Sequence, residues 1–165
     1  MSADATVDFE QLYQRYARDV YRFALFLSGR PQDADDITAE TFVRAWMSPE
    51  PIRVGTVKAY LFVIARNLYR SQVREQGRFE APADIIDRAA RGPDDSAIAR
   101  IDLTRLMERL QELPEIDRTV LLMRAEEEMS YEQIAAALGI SAGAAKVKVH
   151  RARARLAAKN GKEES

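Results

Sequence analysis

Apolar residues return at every third or fourth position along most of the chain, and this regularity constrains its fold more tightly than any other feature. Phe9, Leu12, Tyr13, Tyr16, Val20, Phe23 and Leu27 follow it first. At 3.6 residues per turn, such spacing gathers on one face of a helix. Asp8 fits an N-cap with Gln11 three residues on, and Gly29 and Pro31 end the run. A second helix is predicted to open near Asp33–Asp36, whose carboxylates suit the positive end of a helix dipole. It runs through Phe42, Val43 and Trp46 to the break at Pro49 and Pro51. A third starts near Thr56, with a stripe of Val57, Tyr60, Leu61, Ile64, Ala65 and Leu68, and Gly77 is its stop. Three helices sharing one core give a first domain over 8–77.

From 78 to 100 the period lapses. Pro82, the pair Gly92-Pro93 and the acids Glu80, Asp84, Asp87, Asp94 and Asp95 mark a flexible acidic linker, with room for a helical turn at Ile85 and Ile86. Periodicity resumes with Ile101, Leu103, Leu106 and Leu110, and Leu113-Pro114 begins another helix through Ile116, Val120, Leu121 and Met123. No strand alternation and no repeat occurs. The expected fold is all-α: two small helical domains, the second over 101–159.

Composition excludes much chemistry. There are zero cysteines, so no disulfide framework, thiolate metal site or cysteine nucleophile, and the single histidine, His150, cannot make a multi-histidine metal site. The N-terminus MSADATVDFEQ is acidic where a signal peptide is basic and then apolar, and no run of about 18 apolar residues exists. A cytoplasmic protein without membrane insertion and without a cofactor is expected. The net charge of −1 hides a segregation: Lys146, Lys148, Arg151, Arg153, Arg155, Lys159 and Lys162 follow one another with no acid among them. Lys58, Arg66, Arg70, Arg74 and Arg78 face Glu75 alone, whereas acid collects at Asp33, Asp35, Asp36 and Glu40 and again in the linker. Separate surfaces for separate partners follow.

The segment SYEQIAAALGISA, Ser130–Ala142, has helix-turn-helix chemistry. Ser130 and Gln133 form a capping box, Ile134, Ala135 and Leu138 face inward, Gly139 permits the turn, and Ser141 caps the next helix. That next helix carries the basic series, as a helix in the major groove requires.

With this motif in place, the chain resembles the extracytoplasmic-function group of the sigma-70 family. DADDITAETFVRAW, Asp33–Trp46, is similar to the region 2 signature that binds RNA polymerase, and YLFVIARNLYRSQVR, Tyr60–Arg74, to the part that melts and reads the −10 element. LPEIDRTVLLMR, Leu113–Arg124, with Ser130–Leu156 resembles region 4, which reads the −35 element. The resemblance implies a promoter-specificity subunit, not an enzyme, with core RNA polymerase (beta-prime and beta subunits), promoter DNA and an anti-sigma factor as partners. It also places the linker in the RNA-exit path. Ala39 departs from the glutamine frequent in the family, and Ala144 and Val147 stand where small hydroxyl residues are common, so the −35 sequence is not carried over.

Each site has a chemical rationale. Asp33, Asp35, Asp36 and Glu40 with Phe42 and Trp46 suit a docking face, in which an aromatic anchors and charges orient, and by resemblance the partner is the clamp coiled coil of beta-prime. Trp46 could equally be core. On the third helix Phe62, Arg66, Tyr69 and Arg70 are expected on the side away from the apolar stripe, with Asn67 and Arg74 beside them. Aromatics between arginines suit single-stranded DNA, each stacked base being worth about 1–3 kcal/mol. For the −35 element the candidates are Ser141, Lys146, Val147, Lys148, His150, Arg151 and Arg153.

Two other classes account for part of the pattern. A helix-turn-helix regulator acting without polymerase explains the second domain but leaves the first without a purpose. A metal-dependent nuclease at Asp33–Glu40 lacks a second ligand group, the acids lying mostly within one helical turn.

Overall fold

Residues 9–48, 57–76 and 97–164 are described by the computed structural model, and among them there are seven helices and no strand. They are α1 (Phe9–Ser28), α2 (Pro31–Met47), α3 (Val57–Gln76), α4 (Ala97–Glu112), α5 (Glu115–Ala125), α6 (Tyr131–Leu138) and α7 (Ala142–Glu164). The all-α class required by the periodicity is the one found. The Asp8 cap, the Pro49/Pro51 break, the start near Thr56, the Gly77 stop and the linker from 78 as far as 96 lie outside the described residues. Two boundaries differ from expectation. α4 opens at Ala97, inside the stretch assigned to the linker, and α2 opens at Pro31. Gly29 takes φ +72 and Arg30 is extended, so the chain has already turned when Pro31, whose ring presets helical φ, occupies the first turn.

In the first domain α1, α2 and α3 pack pairwise. Phe23 and Phe62, both fully buried, stack at its centre with ring centroids 4.7 Å apart. Val20, Leu27, Ile37 and Leu61 close around them, each such side chain contributing about 1.5–3 kcal/mol by leaving water. The buried Thr38 and Thr41 donate their hydroxyls to the Ala34 and Ile37 carbonyls, 2.7 and 2.6 Å away, so both hydroxyls are satisfied within their own helix.

The second domain buries Met107, Leu110, Leu113, Val120, Met123, Ile134, Ala145, Val149 and Ala152. The two domains meet in a single apolar cluster: α1 touches α4 and α5, and α3 touches α6. Gly29 is a point of close approach. A Cβ there would stand 2.9 Å from the Gln111 side chain, which donates to the Phe26 carbonyl at 3.0 Å. Glycine thus serves both the turn and the docking of α4.

Candidate nucleic-acid interface

The helix-turn-helix forms as its residues dictate. Ser130 Oγ accepts from the Gln133 amide at 3.0 Å while the Gln133 side chain accepts from the Ser130 amide at 2.9 Å, closing the capping box. Gly139, at φ +69, ends α6, and Ser141 Oγ accepts from the Ala144 amide at 3.0 Å to start α7. Upstream, Arg124 donates to the Met129 carbonyl at 3.0 Å and lies over the Tyr131 ring at 4.3 Å, fixing the turn into α6.

On α7 the inward series Ala145, Val149 and Ala152 is buried, at helical spacing. Ser141, Lys146, Val147, His150 and Arg153 are exposed, and Lys148 is half-buried. Val147, 59% exposed, is an apolar group among cations, as a contact to a thymine methyl would need. Arg151 differs from its neighbours: its Nε and Nη2 donate to Asp117 Oδ2 and Oδ1, both at 2.8 Å. Asp117 is fully buried, and its hydrogen bonds and charge raise the Arg151 pKa further. The structure therefore gives Arg151 a partner inside the domain that its place in a basic run does not reveal.

The α3 face departs most from expectation. Phe62 is not on the outer side; it is wholly buried against Phe23, because α3 packs on both α1 and α2 and its apolar face is correspondingly wide. Arg66 is also turned inward, donating from Nε and Nη2 to Glu115 Oε2 and Oε1 at 2.7 and 3.0 Å. Tyr69 Oη accepts from Arg118 Nη1 at 3.0 Å, and Arg70 Nε lies 3.7 Å from Glu115. Asn67, Arg70 and Arg74 are exposed. Between the domains, Tyr69, Arg70, Gln72 and Arg74 line one side of a cavity of about 530 Å³, with Gln111 and Arg118 on the other.

Glu115, Asp117 and Arg118 are the partners of these side chains that sequence patterning overlooked. Burial pushes the Glu115 carboxyl up, but hydrogen bonds from Arg66 and Thr119 and the charges of Arg66 and Arg70 outweigh it, holding the group below its ordinary value. Arg118, 5% exposed, donates to the Leu27 carbonyl at the negative end of α1 and to the Leu113 carbonyl at 3.2 Å. Two further ion pairs cross the same boundary: Lys58 to Glu127 at 2.8 Å, and Arg22 to Glu126. Burial lowers the Lys58 pKa, yet the bond and charge of Glu127, with Asp19, carry it above its ordinary value. Glu127 is also raised, since burial, Asp19 and Glu126 outweigh its one cation. Two acids serve one lysine, so the lysine gains and the more buried acid does not.

On α2, Asp35, Asp36 and Glu40 are exposed, Asp33 is half-buried 3.4 Å from Arg30, and Glu40 pairs with Arg44 at 3.4 Å. Phe42 is 2% exposed, edge-on to Phe9 and Tyr13, so it belongs to the core and not to the docking surface. Trp46 has the opposite fate: at 66% exposure it rests edge-on against Phe9, 4.6 Å between centroids, with Val43 and Met47 exposed beside it. The sequence left Trp46 open between core and anchor; it is an outward ledge. Among the described residues no group of three or more acids or histidines could hold a metal ion, and no helix is long and apolar enough to cross a membrane.

Two family models match, Sigma-70 region 2 over residues 12–79 and Sigma-70, region 4 over residues 103–156. The chain is 35% identical to the ECF RNA polymerase sigma factor SigE of Mycolicibacterium smegmatis, the match covering 93% of this chain and 64% of that relative. It is 34% identical to the ECF RNA polymerase sigma factor EcfG of Rhodopseudomonas palustris, over 82% of this chain and 76% of the relative. Among solved structures it is similar to the sigma factor RpoE in complex with the anti-sigma factor NepR from Bartonella quintana. The TM-score is 0.76 at 29% identity, covering 90% of this chain and 94% of that one.

Proposed function

Because the chain belongs to the sigma-70 family, in its extracytoplasmic-function group, we propose that it directs core RNA polymerase to a set of promoters and catalyses no reaction itself. In this reading the outer face of α7, led by Lys146, Val147, His150 and Arg153, enters the major groove at the −35 element. Asn67, Arg70 and Arg74, joined by Arg66 and Tyr69 once freed, hold the single-stranded −10 region. The ledge of Trp46 and Met47, flanked by Asp35, Asp36 and Glu40, docks on the beta-prime clamp, and the linker passes toward the RNA exit. The protein works in the cytoplasm, and a separate anti-sigma protein restrains it, as NepR is bound to RpoE in the similar structure.

One observation carries the reading: the chain joins a helix-turn-helix to a second domain whose only tryptophan is 66% exposed beside a row of carboxylates. A regulator that binds operators unaided needs no such second face. The test is run-off transcription from promoter-bearing genomic fragments by core polymerase, with and without the protein. Initiation at discrete sites only when the protein is present supports the proposal. Equal transcription in both, with tight operator binding by the protein alone, replaces it with the regulator.

A further inference from the structure

Arg118 is a buried cation that no carboxylate among the described residues pairs with. Its hydrogen bonds all go to neutral acceptors: Nη1 donates to the Leu27 carbonyl and to Tyr69 Oη, and Nη2 to the Leu113 carbonyl. Its Nε, also buried, makes none. A guanidinium at such depth is costly unless a negative group completes it.

The cavity of about 530 Å³ that Arg118 lines has room for one, and its size is common among small-molecule sites. Four arginines line it, Arg30, Arg70, Arg74 and Arg118, against two carboxylates, Asp33 and Glu115, which leaves a surplus of two positive charges. Both acids are already engaged, Asp33 by Arg30 at 3.4 Å and Glu115 by two bonds from Arg66. A phosphate monoester carries about −1.5 to −2 near neutral pH, which matches the surplus. The wall also holds an acceptor that lacks a donor: Gln72 Oε1 is buried and makes no hydrogen bond. Ionised phosphate oxygens cannot satisfy it, whereas a hydroxyl on the same ligand can.

We infer that this cavity is a binding site for a small phosphate monoester bearing hydroxyl groups, a ligand of the sugar-phosphate class. The phosphate is held by Arg118 from the buried side and by Arg70 and Arg74 from the exposed side, and a ligand hydroxyl donates to Gln72. Tyr69 acts as a positioning residue, since its hydroxyl accepts from Arg118 at 3.0 Å and fixes the guanidinium at the wall. The wall is drawn from both domains, so the ligand binds the folded chain alone and raises its thermal midpoint by mass action.

The experiment is calorimetric titration of the full chain at constant ionic strength with ribose 5-phosphate, ribose, inorganic phosphate and a short single-stranded oligothymidylate. Ribose 5-phosphate should saturate one site, ribose should give no heat, and inorganic phosphate should bind the same site about tenfold more weakly. Arg74→Gln should weaken both phosphate ligands about tenfold, the scale of one charge-assisted hydrogen bond. Gln72→Leu should weaken ribose 5-phosphate to the level of inorganic phosphate and leave the latter unchanged. Arg118→Met should abolish both. Because Arg118 also ties Leu27 to Leu113, circular dichroism checks its fold, and the Arg74 and Gln72 variants decide the matter if it does not fold. Arg18→Gln, exposed on α1 and outside the cavity, should bind as wild type does. The inference is overturned if no phosphate ligand saturates, or if Arg18→Gln weakens binding as much as Arg74→Gln does. It is also overturned if ribose 5-phosphate binds no better than inorganic phosphate, or if the oligothymidylate saturates the protein and ribose 5-phosphate does not, which would assign these arginines to nucleic acid alone. The titrations need neither polymerase nor promoter, so their failure leaves the sigma-factor reading where run-off transcription puts it.

Discussion

Arg151 reaches from α7 to both carboxylate oxygens of Asp117 on α5, at 2.8 Å each, and Asp117 has no exposed surface. A buried carboxylate that loses the cation bound to both its oxygens is left charged in an apolar place. Arg151→Ala should therefore lower the thermal midpoint of the protein by several degrees, whereas Arg153→Ala, at an exposed position on the same helix, should leave it unchanged. Differential scanning calorimetry of the two variants decides it. Equal midpoints would return Arg151 to the set of simple DNA contacts.

Lys146 is exposed on the face of α7 proposed to enter the major groove. Its replacement by alanine should flatten the salt dependence of holoenzyme binding to promoter duplex, lowering the log–log slope by about one. Thermal stability should not change. Filter binding across a potassium chloride series measures the slope.

Phe62→Ala removes a ring stacked on Phe23 at zero exposure and should cost about 3–5 kcal/mol of stability in urea unfolding. Asn67→Ala, at an exposed position on the same helix, should leave unfolding within about 0.5 kcal/mol of wild type while reducing permanganate reactivity of melted promoter thymines. If Phe62→Ala unfolds like wild type and fails only in melting, the ring acts on DNA after all.

Glu115 and Glu127 should respond to acid with opposite signs. The Glu115 pKa is depressed in the folded chain, so its stabilisation is complete above its ordinary value of 4.5 and is lost as pH falls through the lower folded value. The Glu127 pKa is raised, so its charge opposes folding at neutral pH, and that opposition is relieved as pH falls through a value above 4.5. Glu115→Gln should cost about 1–3 kcal/mol at pH 7, a difference that shrinks as the pH drops toward 3. Glu127→Gln should cost far less at pH 7. Urea titrations at the two pH values test the contrast, and equal costs at pH 7 would refute it.

How much of this was legible in the sequence depended on how far apart the partners lie. The helix-turn-helix could be read in full because Ser130, Gln133, Gly139 and Ser141 act on backbone groups a few residues away. The end of α1 was legible for the same reason, through Gly29, whereas Pro31, read only as a stop, opens α2. Arg66 and Glu115 are 49 residues apart, and nothing in the pattern around either selects the other. An arginine on a basic helix looks alike whether it awaits a phosphate or holds a glutamate. Phe62 was misplaced because a single stripe was assumed for a helix that packs on two neighbours, and Phe42 because it was grouped with Trp46 as an anchor beside the carboxylates. One helical turn separates those two rings, but only Phe42 is enclosed by α1; Trp46 lies beyond the core, with Phe9 beneath it.

That ledge makes the chain its own optical probe. Indole emission shifts to the blue as water leaves the ring, and here all of it arises from Trp46, on α2 and at 66% exposure. Ultraviolet excitation at the red edge, where tyrosine is silent, therefore samples the α1–α2 surface and nothing else. A ligand that covers this face will change the spectrum, and one confined to the recognition helix will pass unseen, so a label-free fluorimeter can tell on which side of the molecule a partner has landed.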